Sequence, residues 1–290
     1  KIYLADLTHT TITVSNDSFP LGAGMVGAYA KAAHPDIYVE VFKYPDDLKQ
    51  AIDRRKPDIL ALSNYPWNLD LDLSFLEYTK GMDKNIITVM GGPNISYNPA
   101  EQMKFLKRRE NLLDFYTLYE GEPAFLEILE AAMANGFDLA KIKNSDFAGS
   151  IYLNDGEFVG YRPIARRKEL DDYPSPYQTG LFDKFYDDVL SPMLETHRGC
   201  PFRCSYCHEG HVSYTKVNRF SMDRVLGDLD YIARHVGDRV KNFLFADPNF
   251  GMFPTDIEIA EKLVQTSRDN GFPKTVFATT AKNVGERLIA

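Results

Sequence analysis

Through the first 135 residues, short apolar runs rich in β-branched and aromatic side chains alternate with longer stretches whose apolar positions recur at helical spacing. The runs predict strands near Ile2–Asp6, Val39–Phe42, Ile59–Ser63, Ile86–Met90 and Phe115–Tyr119. Between and after them the spacing predicts helices near Leu21–Ala33, Asp46–Arg54, Leu71–Lys80, Pro99–Lys107 and Ala124–Asn135. Strands alternating with helices at this rhythm build βαβ units around a parallel sheet, so the expected fold is a doubly wound α/β domain over residues 1–140.

The pattern then changes. Ile151–Leu153 and Glu157–Tyr161 flank Asn154-Asp155-Gly156, a hairpin signal. In Asp171-Asp172-Tyr173-Pro174-Ser175-Pro176-Tyr177 two prolines and two acids interrupt regular structure, so residues 141–190 read as a hairpin and linker. A second βα series follows: strand Met193–His197, helix Ser221–His235, strand Asn242–Ala246, helix Thr255–Asn270 and strand Thr275–Thr279. Three such units are too few to close a (βα) barrel, and residues 191–290 read as the N-terminal part of one.

In a doubly wound sheet ligands sit beyond the carboxyl ends of the strands, where glycine lets backbone approach them. The candidate loops carry Gly22 and Gly24, Ser63-Asn64-Tyr65, Gly91-Gly92-Pro93-Asn94, and Glu120-Gly121-Glu122. Each glycine taken singly also reads as a turn residue; four loops at corresponding positions shift the reading towards a ligand. Gly22-x-Gly24-x-x-Gly27 matches a dinucleotide-binding string, but some fifteen residues after the first strand rather than directly after it, so a phosphate-binding fingerprint does not account for the loops.

Composition narrows the classes. The formal net charge of −8, with basic residues scattered among acids, offers no stripe suited to a phosphate backbone, so no nucleic-acid partner is expected. No run of about 18 apolar residues and no leader pattern occur, so neither a membrane span nor secretion is expected and a cytoplasmic location is. The sequence starts at Lys1 without a methionine and stops at Glu286-Arg287-Leu288-Ile289-Ala290 within a helical pattern, and it reads as a piece of a longer chain.

All 3 cysteines fall in one window, Arg198-Gly199-Cys200-Pro201-Phe202-Arg203-Cys204-Ser205-Tyr206-Cys207, directly after a predicted strand. A disulfide framework would call for an even number spread along the chain, so a metal site in a reducing compartment fits better. Thiolates spaced C-x3-C-x2-C can hold three irons of a [4Fe–4S] cube at Cys200, Cys204 and Cys207, and no fourth cysteine is present to close it as in electron-transfer ferredoxins. The open iron could bind a substrate or cofactor through nitrogen and oxygen. Two other readings remain at this point: structural zinc completed by His197, His208 or His211, and three free thiols in a core, disfavoured by the polar Arg198, Arg203 and His208.

Cys200-x3-Cys204-x-Tyr206-Cys207 resembles the signature of the radical S-adenosylmethionine (SAM) superfamily. The resemblance implies that SAM chelates the open iron and that Tyr206 lies against its adenine. It also implies that one electron passed to the sulfonium yields methionine and a 5′-deoxyadenosyl radical. Phe245-Ala246-Asp247-Pro248-Asn249-Phe250-Gly251 stands where relatives place a Gly-Gly-Glu type turn, making Asp247 and Asn249 candidate SAM partners; Asp247 reads equally as a turn acid. The Pro20-Leu21-Gly22-x-Gly24, Leu62-Ser63-Asn64, Gly91-Gly92-Pro93 and Glu120-Gly121-Glu122 segments, in this order, are similar to the Rossmann-like cobalamin-binding half of B12-dependent radical SAM proteins. The implied cofactors are a [4Fe–4S] cluster, SAM and cobalamin. The chain reads Asp6-Leu7-Thr8-His9 where cobalt-ligating domains carry Asp-x-His-x-x-Gly, so no histidine is expected to ligate cobalt, His9 being the one candidate. The implied function is methylation of an unactivated carbon of a small-molecule or peptide substrate, with an electron donor such as a flavodoxin or ferredoxin. The alternatives are a radical SAM enzyme without corrinoid and a non-catalytic zinc or iron–sulfur interaction or sensor protein.

Overall fold

A computed structural model of the protein describes residues 1–282; the helical pattern over 286–290 lies outside the described residues. The chain divides into two compact units, one of Lys1–Asn16 and Gly22–Arg166, the other of Asp17–Leu21 and everything from Arg167 onward.

The first unit is built on five parallel strands: β1 (Ile2–Ala5), β2 (Val39–Phe42), β3 (Ile59–Ser63), β4 (Ile87–Gly91) and β5 (Phe115–Thr117). Their order, β2-β1-β3-β4-β5, reverses direction at β1, which places a topological switch point between β1 and β3. Ile59, Leu60, Ala61 and Leu62 are all buried, as expected for a strand covered on both faces. The covering helices are α1 (Leu21–Ala33), α2 (Pro45–Arg54), α3 (Leu69–Met82), α4 (Pro99–Lys107) and α5 (Gly121–Ala134), followed by the short α6 (Leu139–Lys143). Gly27 lets α1 lie close on the sheet, since a methyl there would meet Leu4 Cδ1 at 3.0 Å and Val39 Cγ1 at 3.1 Å. Asn98 starts α4 by accepting the Ala100 N–H at 2.9 Å ahead of Pro99.

The sheet has two more strands than the apolar rhythm predicts. The hairpin of β6 (Ser150–Asn154) and β7 (Glu157–Val159) joins the edge of β5 antiparallel, with Phe115 opposite Tyr152. Its turn uses Asp155 at φ 49° and Gly156 at φ 80°, the backbone of a two-residue hairpin loop.

The second unit holds a parallel sheet ordered β12-β11-β8, from β8 (Met193–Leu194), β11 (Asn242–Phe245) and β12 (Thr275–Phe277), with crossover helices α7 (Met222–His235) and α8 (Thr255–Asn270). The single strand expected over Met193–His197 is two. After Leu194 the chain leaves the sheet, and β9 (His197–Arg198) pairs antiparallel with β10 (Asn218–Arg219).

The segment from 171 to 190, read as linker from its prolines and acids, is folded into this unit. Tyr173, Tyr177, Phe182, Phe185 and Leu190 are buried, and Phe19 packs its ring on Tyr177, Phe182, Phe185 and Tyr186 at centroid distances of 5.2–6.0 Å. Ser175 Oγ donates to Asp228 Oδ1 on α7 at 2.5 Å, so the Pro174-Ser175-Pro176 corner is tied to that helix. Prolines broke regular structure as expected, but the aromatic residues that flank and follow them make a core.

Candidate functional site

At the carboxyl edge of the first sheet, the loops after β3 and β4 are locked together. Asn64 is fully buried. Its amide Nδ2 donates to Asn94 O at 3.2 Å and to the Tyr116 hydroxyl at 3.0 Å, and its Oδ1 accepts from Asn94 Nδ2 at 3.1 Å. Tyr116 Oη in turn donates to Gly92 O at 2.8 Å. Gly92, at φ 118°, is required here: a Cβ would stand 2.7 Å from Asn64 O. The structure thus brings Asn64, Gly91 and Gly92 into one rigid ledge, with Pro93 exposed beside it and Ser63 O held by Asn68 Nδ2 at 2.8 Å.

Gly22 and Gly24 lie in the first turn of α1, Gly22 exposed and Gly24 buried. Glu120 is buried and ion-paired with Arg166 Nε at 2.9 Å, while Gly121 opens α5, where a Cβ would meet Val26 Cγ2 of α1 at 3.3 Å.

Two features of this edge escaped the sequence reading. The exposed Trp67 ring stacks on Tyr65 at 4.6 Å and 9°, and His9 Nε2 lies 3.0 Å from Trp67 O. The signal that could have found it is the chain's sole tryptophan in the loop after a central strand. Below the edge, Lys43 Nζ pairs with Asp6 Oδ2 at 3.0 Å, and both carboxylate oxygens of the fully buried Asp72 on α3 have no hydrogen-bond partner. Burial, with the nearby Asp6 carboxylate adding to it, pushes the Asp72 carboxyl up to about 9.

In the second unit the cysteines occupy the loop between β9 and β10, and none is in a disulfide. Gly199, at φ 102°, starts the loop because a Cβ would stand 2.7 Å from Tyr214 O, and Cys200 N–H bonds that same carbonyl at 2.8 Å. Cys200 is buried, Cys204 half-buried and Cys207 exposed. The Cys200 Sγ accepts Asn249 Nδ2–H at 3.0 Å. The Lys282 ammonium hydrogen-bonds Cys204 Sγ and so lowers that thiol below its ordinary range. Lys282 also lies over the rings of Phe202 and Tyr206, and Tyr206 is 86% exposed. Among the described residues no three His, Cys, Asp or Glu side chains converge as a single ion such as zinc requires. Of the histidines that could complete a zinc site, His208 Nε2 lies 3.2 Å from the Tyr214 hydroxyl and His211 Nδ1 accepts Ser213 N–H. His197 is fully buried, and burial, with Arg219 nearby, lowers it to about 4, which leaves the ring neutral.

Asp247 is placed behind this loop. Its Oδ1 accepts the backbone N–H of Thr196 at 2.7 Å and of His197 at 3.1 Å, and its Oδ2 accepts the Thr196 hydroxyl at 2.8 Å. The carboxyl is 1% exposed, and burial raises it to about 7 against the lowering effect of those bonds. The carboxylate expected to receive the SAM amino group is therefore engaged by the turn that leads into the cysteines, and Asn249, paired with it in that expectation, by Cys200.

Residues 8–129 match the family model of the B12 binding domain. The chain is 29% identical over 286 residues to the cobalamin-dependent radical SAM methyltransferase TokK of Streptomyces tokunonensis. It is also 29% identical over 280 residues to the 2-(S-pantetheinyl)-carbapenam-3-carboxylate methyltransferase of Streptantibioticus cattleyicolor. Each match covers 93% of this chain, and the chain spans 39% of the length of each of these curated relatives. Among solved structures, the cobalamin-dependent SAM radical enzyme OxsB, with aqua-cobalamin and SAM bound, superposes with a TM-score of 0.66 at 20% identity, covering 91% of this chain and 37% of that one. The order of loops at the first sheet's edge, the cysteine loop after β9 and these matches agree: residues 8–129 match a B12 binding domain, in a chain that is similar over most of its length to cobalamin-dependent radical SAM methyltransferases.

Proposed function

We propose that this chain is the cofactor-binding portion of an enzyme that cleaves SAM reductively at a [4Fe–4S] cluster and uses cobalamin to methylate an unactivated carbon. The first unit takes the corrinoid and the second the cluster and SAM. The observation that carries the reading is a loop with three disulfide-free cysteines, one sulfur receiving an amide N–H and another an ammonium, in the same chain as a B12 binding domain. When bound, the reduced cluster supplies an electron to the SAM sulfonium and methylcobalamin supplies the methyl group.

The chain's own residues then have distinct tasks. Cys200, Cys204 and Cys207 hold three irons as thiolates, and Lys282 favours the thiolate at Cys204. Tyr206, its ring exposed, is free to lie against the adenine. Asp247 holds the turn at Thr196 and His197, so that the loop entering Cys200 has one conformation. In the first unit, the Asn64–Gly92 ledge and the Tyr65–Trp67 stack present backbone and a flat apolar face, surfaces that suit a broad planar macrocycle. His9 is not assigned to cobalt, its ring nitrogen lying at the Trp67 carbonyl. The substrate is a small molecule or peptide. The electron comes from a donor such as a flavodoxin or ferredoxin, and the location is the cytoplasm, whose reducing conditions keep such thiols available. Among the described residues no helix is long and apolar enough to cross a membrane.

The test is anaerobic reconstitution of the chain with iron and sulfide, followed by hydroxocobalamin, SAM and dithionite. The expected result is a retained corrinoid, a cluster visible by electron paramagnetic resonance, and 5′-deoxyadenosine in the mixture. Zinc without iron, or a cluster without corrinoid, would replace this reading with one of the two simpler ones.

A further inference from the structure

The loop after β11 fastens the cysteine loop at two points. Asp247 binds the turn at Thr196 and His197, and two residues later Asn249 donates its amide N–H to Cys200 Sγ. The loop is itself well held. Phe250 stacks on Phe245 at 4.1 Å, Phe250 N–H bonds Thr279 O at 2.8 Å, and Asp256 Oδ2 accepts Gly251 N–H at 2.8 Å and Phe253 N–H at 3.0 Å. Asn249 and Cys200 are 3% and 7% exposed, so the N–H···S bond forms away from competing water.

We propose that Asn249 is a positioning residue that raises the reduction potential of a cluster held through Cys200, an inference that rests on the proposed cluster. Reduction adds one negative charge to the cluster, shared with its thiolate sulfurs. A donor aimed at one of those sulfurs stabilises the reduced form more than the oxidised one and raises the potential. The bond sits at the most buried of the three cysteines, where solvent contributes least and a protein dipole counts most. Asn249 thereby makes the electron that SAM cleavage consumes easier to load onto the cluster.

The test compares the reconstituted parent chain with Asn249→Leu, near-isosteric and without a donor, and with Asn249→Ala in case the leucine does not pack. Iron and sulfide content and a redox titration followed by electron paramagnetic resonance are read for each. Both variants are expected to hold a full cluster whose midpoint lies lower. At the potential where the parent is half reduced, the ratio of reduced to oxidised cluster falls about tenfold, as the loss of one charge-assisted hydrogen bond allows, which is about 59 mV for a one-electron couple. An unchanged midpoint in a variant that keeps its cluster overturns this inference and leaves the proposed function standing. Loss of the cluster from both folded variants overturns it too, since Asn249 would then only hold Cys200 in place. Failure of the parent chain to assemble any cluster overturns both.

Discussion

Asp72 shows what a single side chain can be made to do by its surroundings. It is a carboxyl on a helix face that packs against a sheet, with no hydrogen-bond partner for either oxygen and Asp6 nearby. Its folded value of about 9 lies above the ordinary 3.8, so between those limits the folded chain holds a proton that the unfolded chain has released. Stability from this group is therefore fullest below pH ~4 and falls as pH rises towards 9. Asp72→Asn, which carries no charge to desolvate, is expected to remove that slope and to unfold at higher urea than the parent at pH 8 but not at pH 4; equal midpoints at both values would contradict it. Lys282 acts in the opposite direction on Cys204. In Lys282→Gln the ammonium is gone, so the pH profile for alkylation of Cys204 in the metal-free chain should move upward; an unmoved profile would remove Lys282 from the site. Both effects join residues far apart in sequence, 66 positions for Asp6 and Asp72 and 78 for Cys204 and Lys282, so neither was visible in a local pattern. The cysteines themselves were visible, because their chemistry is carried by spacing within one loop.

At the scale of elements, the strand expected over Met193–His197 divides because two backbone N–H groups that would otherwise serve the sheet are taken by Asp247. The expected strand was correct up to Leu194, but the competing acceptor lies 51 residues beyond Thr196 and no periodicity encodes it. Asp247→Ala leaves those donors buried without an acceptor, which costs roughly 1–3 kcal/mol for each. The variant is expected to lose several °C in thermal unfolding and to retain less iron after reconstitution; unchanged values for both would show that the turn holds itself. The ledge at the first sheet's edge depends on backbone in the same way. Gly92→Ala forces a side chain into a positive-φ position 2.7 Å from Asn64 O. It should cost ~1–3 kcal/mol in chemical denaturation and weaken hydroxocobalamin retention. A stable variant with full corrinoid binding would show that the two loops can separate. Gly22, by contrast, has nothing within 4 Å of where a Cβ would stand, so its alanine variant should fold as the parent does.

At the scale of the whole molecule, the two units do not follow the order of the chain, because Asp17–Leu21 belongs with residues from 167 onward. Phe19, surrounded by Tyr177, Phe182, Phe185 and Tyr186, is the side chain that makes it so. Phe19→Ala should cost ~3–5 kcal/mol, and hydrogen exchange should find the loss in Met193–Leu194 and Asn242–Phe245, more than 170 residues away in sequence. Protection unchanged in those strands would return the segment to the first unit. By itself the sequence determined the α/β class, all five parallel strands of the first sheet to within two residues at either end, helices α7 and α8, and the cysteine loop. Each of these is written in short-range periodicity or spacing, where burial and local backbone preference act together. Only the tertiary structure decided that the hairpin extends the sheet, that the proline-rich segment is core, and that Asp247 and Asn249 serve the cysteine loop. Those outcomes turn on which distant donor, acceptor or ring wins a buried partner, and that competition is settled only when the chain is packed.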